Sequence, residues 1–278
     1  MRFSLFVLLL LIPFCHFAQD TSLKKEIERI EQLASPKDRA SEYNRATKHA
    51  WRKGKLKEAL KYPKRGLKIA KQHGFKSLES KLHNNRGITY DFLSQYPSAL
   101  EHYFAGLSIQ EKLDEPKTKA DILGNIGLIY MNQQLSEKSL DYHNRALAIH
   151  ESANNLQGIS VALNNIAIIY QRQKRFEEAI NNYKKCIEID TKAKDTIGLG
   201  DDYNNIALVY MDMEQYSVAL DYLEKALSIR IQANDHRQIS ITYTNFGEIY
   251  NQLKNYEKAR EYLFLSIDHC LLYTSPSP

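Results

Sequence analysis

Apolar and small residues recur at helical spacing within short segments, and the segments themselves recur every 40 residues. Tyr203, Ile206, Ala207 and Tyr210 sit at x, x+3, x+4 and x+7, one face of a helix. Ala219, Tyr222, Ala226, Leu227 and Ile229 mark a second face after a short polar break. The same pair of faces appears one repeat earlier at Leu163, Ile166, Ala167 and Tyr170, then Phe176, Ala179, Tyr183 and Ile187. Before that come Leu123, Ile126, Gly127 and Tyr130, then Ser139, Tyr142, Ala146, Leu147 and Ile149. Turn-forming residues separate the pairs at His73-Gly74, Asp114-Glu115-Pro116, Asn154-Asn155, Lys194-Asp195 and Asn234-Asp235. No strand-like alternation persists. The pattern predicts paired antiparallel helices from Pro36 to Asp268 without a sheet. A unit this short cannot bury its apolar face alone, so the period implies stacking into an all-α solenoid.

Three ladders keep the beat. Asn85, Asn125, Asn165, Asn205 and Asn245 form one, and Tyr90, Tyr130, Tyr170, Tyr210 and Tyr250 another. Ala59, Ala99, Ser139, Ala179, Ala219 and Ala259 form the third. Gly87, Gly127, Ala167, Ala207 and Gly247 are expected to let the two helices of a hairpin approach closely. The Tyr ladder is expected to fill the space between hairpins. The first hairpin departs from the pattern: Arg45 replaces the ladder Asn, Ala50 the ladder Tyr, and Pro63 lies inside the second helix. Such a proline removes a backbone bond at a cost of roughly 3 kcal/mol, and terminal repeats are often atypical because they cap the stack. Leu23, Ile27, Ile30 and Leu33 predict one more helix over residues 19–35 as that cap.

These spacings resemble the tetratricopeptide repeat, with its large–x2–Leu–Gly–x2–Tyr pattern followed by Ala, aromatic and Ala. The resemblance covers residues 36–269, as five full hairpins and a clipped sixth. The departures are the 40-residue period and the lack of a repeat-ending proline, which imply longer helices. The resemblance implies a right-handed superhelical solenoid of antiparallel hairpins whose first helices line a concave groove. In family members that bind extended peptides, an Asn two positions before the small residue grips the ligand backbone. Asn85, Asn125, Asn165, Asn205 and Asn245 occupy that position here. A primary amide offers donor and acceptor together, so it can pair with a peptide C=O and N–H. The competing reading is that these amides tie adjacent helices together. Phe92, Asn132, Arg172, Asp212 and Gln252 lie further along the same helices and vary, as selectivity positions would. The aliphatic stripe Ile88, Leu128, Ile168 and Leu208 reads as packing between repeats.

Other features narrow the function. Met1-Arg2 followed by the apolar run Phe3 to Phe14 reads as a secretory signal over residues 1–18, and so as an exported, envelope-associated protein. The run falls short of the ~20 residues a spanning helix needs. Of three cysteines, Cys15 lies in that segment and Cys270 near the other end, so no disulfide framework forms and Cys186 reads as a buried structural thiol. Cys270 to Pro278 resembles a translated sequencing adapter, which leads us to expect an interrupted coding sequence and a helix overrun of only a residue or two there. The stretch from Arg45 to Lys71 carries eleven Lys or Arg against Glu58. The export signal argues against a nucleic-acid partner, so a solvated basic face is expected. No phosphate loop, nucleophile motif or metal-ligand spacing occurs, and no catalytic residue, metal or cofactor is expected. The partner is expected to be a protein or peptide in the groove. The context expected from the resemblance is the sensory part of a bacterial signalling protein, with a membrane-anchored or catalytic module beyond residue 269. The second reading is a free periplasmic scaffold.

Overall fold

The computed structural model describes residues 23–274 and is built of helices, with no strand among them. The signal segment falls outside the described residues. Helix α1 covers residues 23–31. It is followed by α2 (Pro36–Arg52), α3 (Leu56–Gln72), α4 (Lys76–Phe92), α5 (Tyr96–Gln110) and α6 (Pro116–Asn132). Then come α7 (Ser136–Ser152), α8 (Leu156–Arg172), α9 (Phe176–Ala193), α10 (Thr196–Asp212), α11 (Tyr216–Gln232), α12 (His236–Gln252) and α13 (Tyr256–Thr274). The chain divides into two compact units, residues 1–129 and 130–278. The first holds the hairpins α2–α3 and α4–α5 and most of α6. The second holds α7 and the hairpins α8–α9, α10–α11 and α12–α13. The sixth hairpin, expected to be clipped, has both its helices. Its second helix runs on to Thr274, further than the sequence suggested, because Cys270 to Thr274 contain no residue that stops a helix.

In the first unit, α1 closes the apolar end of the first hairpin. Leu23 and Ile30 are buried against Tyr43, Ala50, Ala59 and Tyr62. The Tyr43 hydroxyl donates to Glu31 at 2.5 Å. Pro63 stays inside α3 without ending it.

Every hairpin turn follows one design. The second residue after the helix enters the left-handed region at Ser94, Gln134, Lys174, Glu214 and Lys254, and at Gly54 in the first hairpin. The next N–H then reaches back to the ladder tyrosine carbonyl. Gln95 to Tyr90, Leu135 to Tyr130, Arg175 to Tyr170, Gln215 to Tyr210 and Asn255 to Tyr250 are each 2.9 Å. This is the six-to-one bond of a helix C-cap.

Four of the five ladder tyrosines stack on the partner helix of the same hairpin, and Tyr170 and Tyr210 also pack against the cluster that joins α8–α9 to α10. Tyr90 stacks on His102, Tyr130 on Tyr142, Tyr210 on Tyr222 and Tyr250 on Tyr262, at centroid distances of 5.4 to 5.6 Å. The reason is the tight turn. It places the last full turn of the first helix beside the second turn of the next one, twelve residues on. The small positions behave as expected. A Cβ on Gly87 would stand 2.5 Å from the buried Tyr103 ring, and one on Gly247 would stand 2.9 Å from Leu263.

Cys186 is buried, its thiol donating to the Ser160 carbonyl at 3.4 Å. Burial pushes the thiol up to about 12, which keeps it protonated and unreactive.

Candidate functional site: an amide ladder and an acidic cleft

Four of the five ladder asparagines bond the preceding repeat. Asn85 donates through Nδ2 to Asn44 at 2.6 Å, and Asn125 to Asn84 at 2.9 Å. In the second unit, Asn205 donates to Asn164 and Asn245 to Asn204, both at 2.9 Å. Each acceptor lies 41 residues earlier, so the two asparagines of an Asn-Asn pair divide the work. The first accepts from the following repeat and the second donates to the preceding one. Asn165 forms no such bond, because the residue 41 positions before it is Gly124, which has no side chain to accept one.

These bonds answer to the tying role weighed against peptide contact. Asn85 is 2% exposed and donates to Asn44, which leaves it the most enclosed amide of the ladder. Asn125, Asn165, Asn205 and Asn245 are half-buried. Each retains its Oδ1 and at least one N–H beyond the bond described.

The five variable positions lie apart from this. Phe92, Asn132, Arg172, Asp212 and Gln252 are all exposed and close their helices. Arg172 donates to the Met131 carbonyl at 3.2 Å, Asp212 accepts from Gln171 at 2.6 Å, and Phe92 packs on Trp51 with centroids 5.6 Å apart. None of them is among the lining of the cavities described below, which hold Asn85 and Asn205. The concavities lie on the other side of the ladder, towards the helix N-termini, where the second helix of the preceding hairpin comes alongside.

A cavity of about 340 Å³ in the second unit opens between α8, α10 and α12. Its lining includes Val161, Asn164, Asn205 and Ile241, with Asp190, Asp195, Asp201, Asp202 and Arg230 as its titratable groups. Local structure dictates where each points. Asp195 is the N-cap of α10, and its carboxylate accepts from the Gly198 N–H at 3.0 Å. Its own N–H bonds the Asp190 carbonyl at 2.9 Å, which fixes the end of α9 against the start of α10. Gly198 leaves room for the Asp190 side chain, since a Cβ there would collide with the Asp190 carboxylate.

Asp190 is buried and accepts from the Ser160 hydroxyl at 3.0 Å. Arg230 is buried on the other flank. It donates to Asp201 at 2.7 Å, to Thr242 Oγ1 at 2.6 Å and to Asn204 Oδ1 at 3.2 Å. Asp202 is 3% exposed, and its Oδ2 has no hydrogen-bond partner. Burial first, and the charge of Asp190 second, push Asp202 up to about 8. Asp190 is also raised, chiefly by burial. Two buried carboxyls thus face one cleft with Arg230 already engaged by Asp201.

The sequence reading missed both halves of this site. The acceptor ladder Asn44, Asn84, Asn164 and Asn204 is visible beside the ladder that was found. So is a series of buried polar residues at the ends of the second helices: Gln110, His150, Asp190 and Arg230. Their 40-residue spacing was the available signal, hidden because their chemistry changes at every step. An amide, an imidazole, a carboxylate and a guanidinium share the position: Gln110 and His150 reach the next cap residue, whereas Asp190 and Arg230 turn towards the neighbouring first helices.

A cavity of about 450 Å³ in the first unit, lined by Lys81, Asn84, Asn85, Glu115 and Asp121, occupies equivalent positions on α4 and α6. There Lys81 bridges to Glu115 at 3.2 Å. Among the described residues no group of three or more His, Cys, Asp or Glu side chains is arranged to hold a metal ion. No helix among them is long and apolar enough to cross a membrane.

The tetratricopeptide repeat family model matches residues 118–192 and 203–266, together half of the chain. Comparison with curated protein sequences returns no match. Among solved structures, BtubC (BKLC) from P. vanneervenii aligns with a TM-score of 0.68 at 18% identity, over 80% of this chain and 94% of its own. Aspartyl phosphate phosphatase F from Bacillus subtilis aligns with a TM-score of 0.70 at 19% identity, over 89% of this chain. The match spans 63% of the phosphatase, under two thirds of its length. A Rap protein complexed with competence and sporulation factor aligns with a TM-score of 0.66 at 17% identity, over 92% of this chain and 72% of its own. At these identities the likeness is one of fold.

Proposed function

Because the chain belongs to the tetratricopeptide repeat family, we propose that it is a scaffold binding a protein or an extended peptide along its first helices. The observation that carries this reading is the half-buried amide row of Asn165, Asn205 and Asn245 in the second unit, with acceptors and N–H groups left over after the repeats are tied together. A peptide backbone laid across them would find a donor and an acceptor at each repeat without regard to its sequence. Side chains one turn earlier change from repeat to repeat: Lys81, Asp121, Val161, Asp201 and Ile241. They supply the selectivity that identical amides cannot. That a Rap protein of similar fold was solved in complex with competence and sporulation factor supports a binding role for such an array.

The test uses Asn165, the amide without a structural bond. Randomised octapeptides are selected on the immobilised full chain, and the enriched ones are measured against wild type and Asn165→Ala. A fall in affinity of at least tenfold with unchanged melting is expected. Failure to enrich any peptide, or equal affinity for the variant, overturns the reading.

The context we propose is export, through the signal-like residues 1–18, and service as the envelope-facing sensor of a bacterial signalling protein. The alternative is a free periplasmic scaffold without output. Fusion of residues 1–22 to a reporter active only outside the cytoplasm tests export. Resequencing the locus from an independent library separates sensor from scaffold. A spanning helix and an output domain after codon 269 favour the first, and a nearby stop codon the second.

A further inference from the structure

We propose that the cleft between α8, α10 and α12 is a subsite for an alkylammonium or alkylguanidinium group, supplied by a lysine or arginine side chain of a peptide lying across Asn164 and Asn205. The inference rests on the scaffold reading and gives it a ligand class.

The argument begins with the carboxylates that already have employment. Asp195 caps α10, and Asp201 holds Arg230. Asp190 accepts from Ser160 and shares a carboxyl–carboxyl hydrogen bond with Asp202, which holds the proton. Asp202 is almost completely buried, lines the cleft, and keeps an oxygen with no partner. A buried acceptor left unsatisfied costs about 1–3 kcal/mol. Arg230 is the one cation of the lining; its two terminal nitrogens are committed to Asp201, Thr242 and Asn204, and its buried Nε–H, itself without a partner, forms no bond to Asp202. Proton retention on Asp202, beside the Asp190 carboxyl, offsets that cost. An incoming ammonium or guanidinium group replaces that proton as the partner of the carboxylate, and the proton leaves to solvent.

The first unit shows the same architecture with its cation built in. Lys81, on the first helix of its hairpin, reaches Glu115 at the start of the next. Two repeats on, Asp195 stands at the position of Glu115, but Val161 stands at the position of Lys81. The acidic half of the pair is kept and reinforced by Asp190 and Asp202, while the basic half is missing from the chain. Val161 and Ile241 are 57% and 40% exposed and flank the opening, which suits the methylene stem of a long cationic side chain. The volume, about 340 Å³, lies at the lower end of the roughly 300–1,000 Å³ of ligand pockets, enough for one side chain and its backbone rather than a folded domain.

The test titrates the full chain calorimetrically with four pools of capped octapeptides, randomised except for a central Lys, Arg, Gln or Glu. Agmatine is the free-cation arm. The Lys and Arg pools are expected to bind at least tenfold more tightly than the Gln pool, with Glu weakest. At pH 7 their binding should release protons in wild type and none in Asp202→Asn. Val161→Lys supplies the missing cation from the chain itself, so it should melt no lower than wild type and lose the preference for Lys and Arg. Equal affinity of all four pools would leave the scaffold standing and overturn the cation subsite. Persistence of the preference in both variants would do the same. Binding of agmatine with no response to any peptide would overturn the peptide as the source of the cation, and no binding by any probe would overturn the inference entirely.

Discussion

Asn205 donates to Asn164 Oδ1 at 2.9 Å across the 41 residues that separate successive first helices. The bond explains why a mediocre helix former recurs without a slip. It also divides the ladder. Replacing Asn205 by Ala removes the donor and leaves Asn164 with an unmet acceptor in a half-buried place. The expected loss is about 0.5–1.5 kcal/mol. Asn165→Ala removes an amide that ties nothing, and stability should change by less than ~0.5 kcal/mol, as at ordinary surface sites. Urea unfolding of both variants makes the comparison, and equal losses would show that the amide tie carries no stability.

The repeat architecture was legible because it is periodic in residue type. Gly87 and Gly247 announce close helix approach by being small, and the turn at Lys194-Asp195 announces itself by composition. The cleft was harder to read. Asp190, Arg230, His150 and Gln110 share a position but no chemistry, so no alphabet of similar residues reveals them. The tyrosines were legible only in part: Tyr210 and Tyr222 are twelve residues apart, and spacing alone does not tell whether such rings meet within a hairpin or between two. The turn geometry at Glu214, with its left-handed backbone, decides it.

Gly87 offers a test of hairpin packing within the first unit. Its missing Cβ is replaced in space by the ring of Tyr103, which is fully buried. Gly87→Ala gains about 1 kcal/mol of helix propensity. It also pushes a methyl group into a rigid ring at 2.5 Å, and overpacking of this kind costs typically 1–3 kcal/mol. A net loss of roughly 1 kcal/mol is expected. Gly87→Ala combined with Tyr103→Leu should recover part of it by giving up the ring, whereas additive losses in the double variant would count against the contact.

Acid should weaken the fold through its buried histidines. His143 is fully buried with neither ring nitrogen bonded, and burial lowers it to about 4. His83 is held at about 4 by burial and then by His102, whose Nδ1 lies 3.0 Å away. The folded value lies below the unfolded one near 6.5, so the unfolded chain binds the proton first. The contribution is intact above pH 6.5 and is lost as pH falls towards 4. Asp202 acts in the opposite sense. Its folded value is raised, so its contribution declines as pH rises towards 8. A wild-type profile therefore mixes both signs. His143→Leu isolates one, because Leu223 fills the equivalent position two repeats on. The stability difference between variant and wild type should shift by about 1–2 kcal/mol in favour of the variant between pH 7 and pH 5. Parallel profiles would rule out His143 as an acid-sensitive group.

The hairpin turns make the last prediction. Lys174 and Glu214 hold φ of 59°, a left-handed backbone that costs a side-chain-bearing residue roughly 1–2 kcal/mol. Gly54 serves the corresponding turn of the first hairpin at φ 71°, with open space around its missing Cβ. Glycine relieves the strain at Lys174 or Glu214 and gives back about 0.4–1 kcal/mol through the greater freedom of the unfolded chain. Each of Lys174→Gly and Glu214→Gly should therefore stabilise by roughly 0.5 kcal/mol, and the pair should add, since the two turns share no partner. The reverse change, Gly54→Ala, meets no neighbour, so its cost of about 1 kcal/mol measures the backbone strain alone. Destabilisation by the glycine substitutions, or indifference at Gly54, would show that these turns are held by something other than the conformation of a single residue.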